Sequence, residues 1–385
     1  MDRAKEILKR NTMLVALLVI TLFFAFLSGG TLLVPRNVTN LIAQNGYVVV
    51  LAVGMLMCIL TGGNIDLSVG SVVALVGALA GTLIVNKGMN IWLAMVICLV
   101  AGILIGIWQG FWIAYIRIPA FIVTLAGMLL WRGVALIILD GLTISPFPEK
   151  YLNLFNSYIP DIFESNINIL SVIIGFLVCV VYIIFQFINR MKLRRKGYSL
   201  ENLIFTIVKT AIICLAVMVL SYTLAKHEGI PAILILLAVV VFLYSYFTKK
   251  TVPGRYLYAV GGNEKAAKLS GINTNKVLFF AYVNMAFLSA LAALMCVARF
   301  NSAAPTAGTN YEMDAIGSCY IGGASAYGGI GSVAGVVIGA IFMGVLNNGM
   351  SIMGIDSNVQ KAVKGLVLLA AVAFDVLSKK RGKIA

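Results

Sequence analysis

The chain has 385 residues, of which 61% are hydrophobic and 11% are charged, and its mean hydropathy is +1.01. Charged residues make up about a quarter of a soluble domain, so this composition excludes one and predicts a single membrane domain over residues 1–385. The formal net charge of +15 does not indicate nucleic-acid binding, because the basic residues lie between apolar segments, which is the positive-inside pattern of proteins embedded in membrane lipid.

Apolar segments long enough to cross a bilayer recur along the whole chain. Each is close to the roughly 20 residues that a transmembrane helix needs. The first is too long for the apolar core of a signal peptide, so we expect a retained helix. The pattern predicts an all-α, polytopic helix bundle of about 10–12 spans, including broken helices. The continuous spans are predicted at 13–34, 41–60, 67–85, 91–116, 118–139, 169–188, 203–225, 230–247, 277–298, 331–350 and 359–377.

Clusters of basic residues predict how the bundle is oriented. The clusters at 3–10, 190–196 and 249–276 all fall on the cytoplasmic side if the N-terminus is cytoplasmic. The segment 140–168 then falls outside, and its charged residues are mostly acidic: Asp140, Glu149, Lys150, Asp161 and Glu164.

The basic cluster at 379–383 reaches the cytoplasm only if the glycine-rich stretch 313–327 also crosses. This stretch is short, so we expect a broken helix that its neighbours bury. The sequence therefore predicts a multi-pass membrane protein with both termini in the cytoplasm.

Polar residues interrupt the apolar pattern at 61–70, between two predicted spans with almost no loop. Asn64, Asp66 and Ser68 lie two residues apart around a glycine-rich break. Such a break lines a cavity in some broken helices, or it is a tight cytoplasmic turn in which Asp66 caps the next helix. We expect these residues to support or gate a translocation path and not to bind the substrate.

Glycine patterns predict close packing between helices. Glycine recurs every fourth residue at 77/81, 102/106/110 and 331/335/339, which favours contacts inside one bundle over contacts between two copies. In addition, Gly62-Gly63 and Gly322-Gly323 each precede a similar run of small residues. In the predicted topology the helices that follow these two pairs run in the same direction.

The longest ordered polar stretch lies at 254–276, between two apolar spans. Asn263 is a candidate N-cap, Glu264 and Lys268 suit the two ends of a helix dipole, and Gly271 suits a left-handed exit. One short helix is predicted at 263–271. We expect its small residues to form a flat docking surface, although an ordinary capped loop helix has the same signals. The surface residues are Ala266, Ala267 and Ser270.

The sequence contains no pattern that is typical of a nucleotide-binding, metal-binding or catalytic site. No phosphate-binding glycine loop, no cluster with metal-ligand spacing and no nucleophile–base pair is present. We therefore expect no catalytic residue, no metal and no cofactor in this chain. Four neutral polar residues in the predicted bundle are candidates for hydrogen bonds to hydroxyl groups of a solute, or equally for bonds between helices: Gln44, Asn45, Gln109 and Asn284.

Two groups of motifs resemble a known family. The pattern Glu-x-Ala-Ala-x-x-Ser-Gly-Ile at 264–272 resembles the cytoplasmic coupling segment of ATP-binding-cassette (ABC) permeases. The motifs at 62–71, 118–127 with Arg132-Gly133, 258–272 and 321–335 are similar to those of the monosaccharide branch, which includes ribose, xylose and galactose importers. The long layout is closest to xylose-type or multiple-monosaccharide permeases.

This resemblance implies a transport subunit of the bacterial cytoplasmic membrane that is not itself an enzyme. It implies a second copy of the chain, an ATPase partner that holds ATP–Mg²⁺, and a sugar-binding protein outside. In the family the coupling segment fits a cleft of the ATPase. In this chain, the residues that correspond to the coupling segment are Gly262, Asn263, Glu264, Ala266, Ala267, Ser270 and Gly271.

Other functions are weighed against this one. Permeases for branched-chain amino acids or nucleosides share the architecture. An ion-coupled secondary transporter needs titratable groups inside the bundle, and apart from Asp66 we expect almost none there. A membrane-embedded enzyme is disfavoured by the missing catalytic groups.

Overall fold

The computed structural model describes residues 12–163, 167–198 and 203–382, and it shows an all-α bundle as predicted. These residues contain no β-strand, only two isolated bridges, Ile144 with Ala303 and Tyr158 with Pro231. The predicted basic cluster at 3–10 and Glu164 lie outside the described residues, and the side chains of 378–382 are not described. The helices are α1 (Thr12–Leu27), α2 (Pro35–Leu60), α3 (Val69–Gly81), α4 (Ile91–Ala114), α5 (Ala120–Leu139), α6 (Glu149–Asn156), α7 (Ile169–Arg195), α8 (Leu203–Ala225), α9 (Ala232–Lys250), α10 (Val252–Gly262), α11 (Glu264–Leu269), α12 (Thr274–Phe300), α13 (Tyr311–Ile321), α14 (Val333–Ile352) and α15 (Ser357–Gly382).

Nine helices in the described part of the chain are long and apolar enough to span a membrane. They are α2, α3 with its continuation to Asn86, α4, α5, α7, α8, α9, α12 and α14. The predicted span at 13–34 is wrong at its end, because α1 stops at Leu27. Gly29 and Gly30 have φ angles of 58° and 86°, which end the helix, and a 3₁₀ turn follows at Thr31–Leu33. The predicted span at 359–377 lies inside the longer helix α15.

Helices α2, α3 and α12 form the centre of the bundle. More than two thirds of the apolar window of each is buried, and α2 is fully buried over its last ten residues. Helix α4 packs on α12 through the glycines at 102, 106 and 110. A β-carbon at Gly106 would lie 2.6 Å from Val283 Cα, so a larger residue would separate the helices. This glycine repeat therefore serves packing inside the chain.

Helices α7 and α8 form a peripheral hairpin. Only 17% of the apolar window of α7 and none of that of α8 is buried in the protein. Their outward apolar surface is the surface that lipid covers in a multi-pass membrane protein.

One crossing is broken, as the sequence predicted for 313–327, but the break begins earlier. After α12 ends at Phe300, a non-helical segment runs along α3, with Ala303 beside Gly81 and Gly308 beside Gly70. The short helix α13 follows, and the segment 322–332 completes the crossing, with Gly329 N donating to Leu60 O at 3.1 Å. The carbonyl groups of Pro305 and Ala307 accept hydrogen bonds from Arg132 of α5, which satisfies part of this exposed backbone.

The first of the two glycine pairs, Gly62-Gly63, lies against the loop that follows the second pair, Gly322-Gly323. A β-carbon at Gly63 would overlap Ala326 O, and one at Gly328 would lie 2.5 Å from Gly62 N. The turn at Gly62-Gly63 and the loop that contains Gly328 therefore lie at the end of the bundle that carries α10 and α11, which we call the α11 end. Helices α3 and α14 both run away from it in the same direction, as predicted.

Candidate functional site

The polar stretch between α9 and α12 folds into two helices, α10 and α11, and only the second was predicted. Thr251 caps α10 by accepting a hydrogen bond from Gly254 N at 3.1 Å. The signal for α10 is Thr251 followed by Pro253 in the first turn, a common start of a helix. Helix α11 is capped by Asn263, whose Oδ1 accepts from Ala266 N at 3.0 Å, as the sequence predicted.

Helix α11 does not present both alanines on one face. Ala267 is 5% exposed and packs in the main hydrophobic core, so its place on a docking surface was predicted wrongly. Successive helical residues point about 100° apart, so burial of Ala267 leaves a neighbouring face outside. That face, the outer face of α11, consists of Ala266, Leu269 and Ser270, and Leu269 is 90% exposed.

Glycines flank helix α11 on both sides. Gly271 has a φ of 83° with no atom near its missing β-carbon, which confirms the left-handed exit from α11. Gly262 is exposed and has free space around it. Its neighbour Gly261 is different, because a β-carbon there would overlap Leu60 O and lie 2.5 Å from Gly329 N. The end of α10 thus rests directly on the broken crossing.

Arg117 holds α11 from a distant part of the sequence, and sequence reasoning missed it. It lies in the turn between α4 and α5, and its Nη1 donates to Glu264 Oε1 at 2.7 Å. Its Nη2 donates to Thr274 Oγ1 at 3.0 Å and also to Asn275. Desolvation raises the pKa of the Glu264 carboxyl, but the hydrogen bonds from Arg117 and Thr274 and the nearby positive charges outweigh it, so that pKa lies below its usual value.

The break between α2 and α3 begins at the α11 end and then runs back into the bundle, where Asp66 N lies 3.5 Å from Met55 Sδ and the Tyr282 hydroxyl donates to Ile65 O at 3.4 Å. Asp66 is buried, and its Oδ1 accepts hydrogen bonds from Ser68 N at 2.8 Å and Ser68 Oγ at 2.6 Å. Ser68 Oγ also accepts from Gln109 Nε2 at 2.6 Å. Asn64 donates to Thr61 O at 3.1 Å. Ser68 is the N-cap of α3 and makes no side-chain capping bond, so Asp66 orders the segment before α3 and does not cap the helix itself.

The four candidate substrate contacts do not come together. Gln44 and Asn45 line one polar cavity near the opposite end of the bundle. Gln109 is fully buried beside Ser68. Asn284 accepts a hydrogen bond from the Tyr244 hydroxyl and lines a separate small cavity with Phe247 and Phe280. Only the first two remain candidates for one common site.

The broken crossing carries charges that the sequence analysis did not foresee. Asp314 of α13 is 3% exposed, and Lys364 Nζ of α15 lies 2.9 Å from its Oδ1. Glu312 is also buried. The expectation that the bundle holds almost no titratable group besides Asp66 is therefore wrong. The signal was the presence of both acids beside a stretch already predicted to cross.

Comparisons with known proteins agree with this architecture. A family described as "Branched-chain amino acid transport system / permease component" matches residues 37–372. Xylose transport system permease protein XylH of Haemophilus influenzae is 38% identical over 369 residues, 96% of this chain and 96% of that protein. XylH of Escherichia coli K12 is 38% identical over 371 residues, covering 96% and 92%. Ribose import permease protein RbsC of Escherichia coli K12 is 33% identical over 371 residues, covering 96% and 95%.

No solved structure matches the chain significantly. The described residues contain no group of three or more His, Cys, Asp or Glu residues that could hold a metal ion. The family match covers most of the chain, and the named permeases align over almost all of it. This chain is therefore a multi-pass membrane protein that belongs to the branched-chain amino acid transport system / permease component family.

Proposed function

We propose that the chain is the membrane-spanning subunit of an ABC importer that carries a monosaccharide across the bacterial cytoplasmic membrane. The support is that relatives named as xylose and ribose permeases align over 96% of it. The family description names branched-chain amino acids instead, so an amino-acid or nucleoside permease is the alternative.

The single observation that carries the ABC mechanism is the outer face of α11. Leu269 is 90% exposed on a six-residue helix that also carries Lys265 and Lys268. A large apolar side chain at the polar end of a bundle suits a cleft in a partner protein. That partner is an ATPase, which would hold ATP–Mg²⁺, while this chain holds no cofactor and performs no hydrolysis.

The contacts of α10 indicate how a movement of the ATPases is transmitted to the helix bundle. Gly261 rests against Leu60 O and Gly329 N, so movement of α10 and α11 would push on the segment 322–332. Closure of the ATPases would thereby move the broken crossing and change which end of the bundle is open. The sugar passes chemically unchanged. A second copy of the chain and an extracytoplasmic sugar-binding protein complete the transporter, and the α11 end and both termini are cytoplasmic.

A second candidate function, an ion-coupled secondary transporter, draws some support from Asp314 and Glu312. Intramembrane carboxylates often carry protons or ions in such proteins. Asp314 is already neutralised by Lys364, which favours a structural ion pair.

The test is uptake by the complete importer in proteoliposomes. The chain is purified with its ATPase and binding protein and supplied with xylose, ribose, galactose, leucine or a nucleoside. We expect ATP-dependent uptake of a monosaccharide that persists with a protonophore. Uptake driven by a proton gradient without ATP would favour the secondary transporter, and uptake of leucine or a nucleoside alone would identify another ABC permease.

A further inference from the structure

A polar cavity of about 450 Å³ lies between α2, α12 and α14, away from the α11 end. Arg299 and Phe300 belong to the last turn of α12, and Ser351 belongs to the last turn of α14. Arg299 is 25 residues beyond the start of α12 at Thr274, which places it about 37 Å from the α11 end along the helix. We call this cavity the outer chamber.

The walls of the outer chamber carry neutral groups that both donate and accept hydrogen bonds. Gln44, Asn45, Asn347 and Asn348 contribute amides, and Ser351 contributes a hydroxyl. Sugar hydroxyls also donate and accept, whereas an inorganic anion only accepts. The one charged group of the wall, Arg299, adds donors to this set. The chemistry therefore fits a neutral polyhydroxylated solute.

Part of this wall is fixed in place, and part lacks a partner. Asn348 and Asn37 exchange two amide hydrogen bonds, at 2.8 and 3.2 Å. Asn45 donates to Leu41 O at 2.8 Å. In contrast, Asn347 Oδ1 and Arg299 Nε are buried from solvent and have no hydrogen-bond partner among the described residues. Unpaired buried polar atoms are costly. Both atoms are closed to solvent, so a ligand hydroxyl in the chamber satisfies them only after the two side chains turn toward it.

The shape of the chamber depends on one close approach. A β-carbon at Gly344 would lie 2.6 Å from Asn45 Cγ. The missing side chain on α14 thus makes room for the Asn45 amide of α2. Because the Asn45 amide packs between α2 and α14, its position is fixed and it does not fill the outer chamber.

An aromatic pair forms the deep side of the chamber. Tyr47 lines the cavity, and its ring stacks on that of Tyr311 with centroids 4.1 Å apart and an angle of 23° between the planes. Tyr311 is the first residue of α13. The segment after α13 contacts α10 through Gly329, whose β-carbon would lie 2.8 Å from Gly262 N. The stack is therefore connected to the α11 end by the broken crossing.

We propose that the outer chamber is a binding site for one monosaccharide in transit, and that the Tyr47–Tyr311 stack closes it on its deep side. This inference rests on the proposed function. The amides of Asn347 and Gln44 hydrogen-bond the sugar hydroxyls, and displacement of α13 separates the two rings to release the sugar toward the α11 end.

The experiment measures sugar binding to the permease–ATPase complex in nanodiscs without the binding protein. The probe is radiolabelled xylose or ribose, whichever the complete importer transports, with phosphate and leucine as competitors. Loss of one hydrogen-bonded amide corresponds to about tenfold in affinity. We expect saturable sugar binding that Asn347→Leu and Gln44→Leu each weaken about tenfold. Gln186→Leu, on the peripheral helix α7, is the matched control and should bind like the wild type.

A second readout is independent of affinity. Ser351→Cys places a reactive thiol on the chamber wall, while five of the six native cysteines are buried. Saturating sugar should slow its modification by a hydrophilic maleimide, and phosphate should not.

The outcomes separate the two proposals. If the complete importer moves no monosaccharide, the proposed function fails. If it transports sugar, three results would each overturn the outer chamber: no saturable binding and no protection of Ser351→Cys, wild-type affinity in both amide variants, or displacement of the sugar by phosphate.

Discussion

Arg117, in the α4–α5 turn, and Glu264, the first residue of α11, form an ion pair across 147 positions of sequence, with 2.7 Å between Nη1 and Oε1. The same guanidinium donates to Thr274 at the start of α12. Arg117 has a φ of 64°, a conformation that is unusual for a residue with a side chain. One side chain therefore joins the α4–α5 turn to both ends of the α11 segment.

The first prediction is that Arg117→Ala uncouples ATP hydrolysis from uptake. Both side chains of the ion pair are more than 40% exposed, so the pair contributes at most about 1 kcal/mol to stability. Without the Arg117 side chain, α11 is no longer held in position against the α4–α5 turn. We expect fewer sugars transported per ATP with an unchanged melting temperature. Arg36→Ala, an exposed arginine far from α11, is the control, and equal sugar-to-ATP ratios in both variants would contradict the prediction.

The pH dependence of this contact follows from the lowered pKa of Glu264. A carboxyl group whose pKa is lower in the folded protein stabilises the fold above its unfolded pKa, and this contribution disappears as the pH falls through the folded pKa. The wild type and Arg117→Ala should therefore differ in coupling throughout the neutral range. The difference should vanish only in acid, once the pH has fallen below the usual pKa of a glutamate carboxyl.

The second prediction concerns the outer face of α11. Leu269→Glu would place a charge in the proposed ATPase cleft, where an unpaired buried charge costs several kcal/mol. We expect normal amounts of permease in the membrane but little co-purified ATPase.

Leu142→Glu provides the matched control, because Leu142 is 68% exposed and lies in the segment between α5 and α6, at the end opposite α11. It should retain the ATPase. Full recovery of the ATPase with Leu269→Glu would mean that α11 is only a capped loop helix.

The third prediction distinguishes two adjacent glycines by the effect of their substitution on thermal stability. Gly261→Ala would force a methyl group against Leu60 O and Gly329 N, whereas Gly262→Ala would enter free space. Overpacking of this kind costs about 1–3 kcal/mol, so Gly261→Ala should lower the melting temperature of the purified protein and Gly262→Ala should change it little. Equal melting temperatures would show that α10 does not rest tightly on the broken crossing.

The fourth prediction concerns orientation. Lys192→Cys lies at the end of α7 within a basic cluster, and Leu142→Cys lies in the acidic segment 140–168. The positive-inside rule places the first in the cytoplasm and the second outside. An impermeant thiol reagent applied to intact cells should label only Leu142→Cys, with the wild type as background. The reverse pattern would invert the topology.

The sequence predicted what depends on local signals. The Asn263 cap, the Gly271 exit and most span positions follow from nearest neighbours and apolar length. It did not predict which side of α11 faces the core, because a six-residue helix has no apolar periodicity to reveal that Ala267 is buried. Arg117 bonds across a long sequence separation, which no local pattern encodes. The non-helical segment after Phe300 is supported by Arg132, again a distant residue.

The last prediction concerns the turn at 61–68, which we expect to influence the rate of transport and not the affinity for sugar. Asp66 lies inside the bundle beside Met55 and is not among the residues that line the outer chamber, and its Oδ1 orders the start of α3 through two hydrogen bonds from Ser68. Bonds to a charged acceptor are roughly twice as strong as those to a neutral one, so Asp66→Asn should loosen this turn without removing it. We expect a lower maximal rate of uptake, with the half-saturating sugar concentration changed by less than about twofold. Asp356→Asn alters a comparable but exposed contact, in which Asp356 accepts from Asn358 N at 2.8 Å, and should leave both quantities unchanged. If Asp66→Asn changed the half-saturating concentration alone, Asp66 would belong to the sugar-binding site, and its role in ordering the turn would not explain transport.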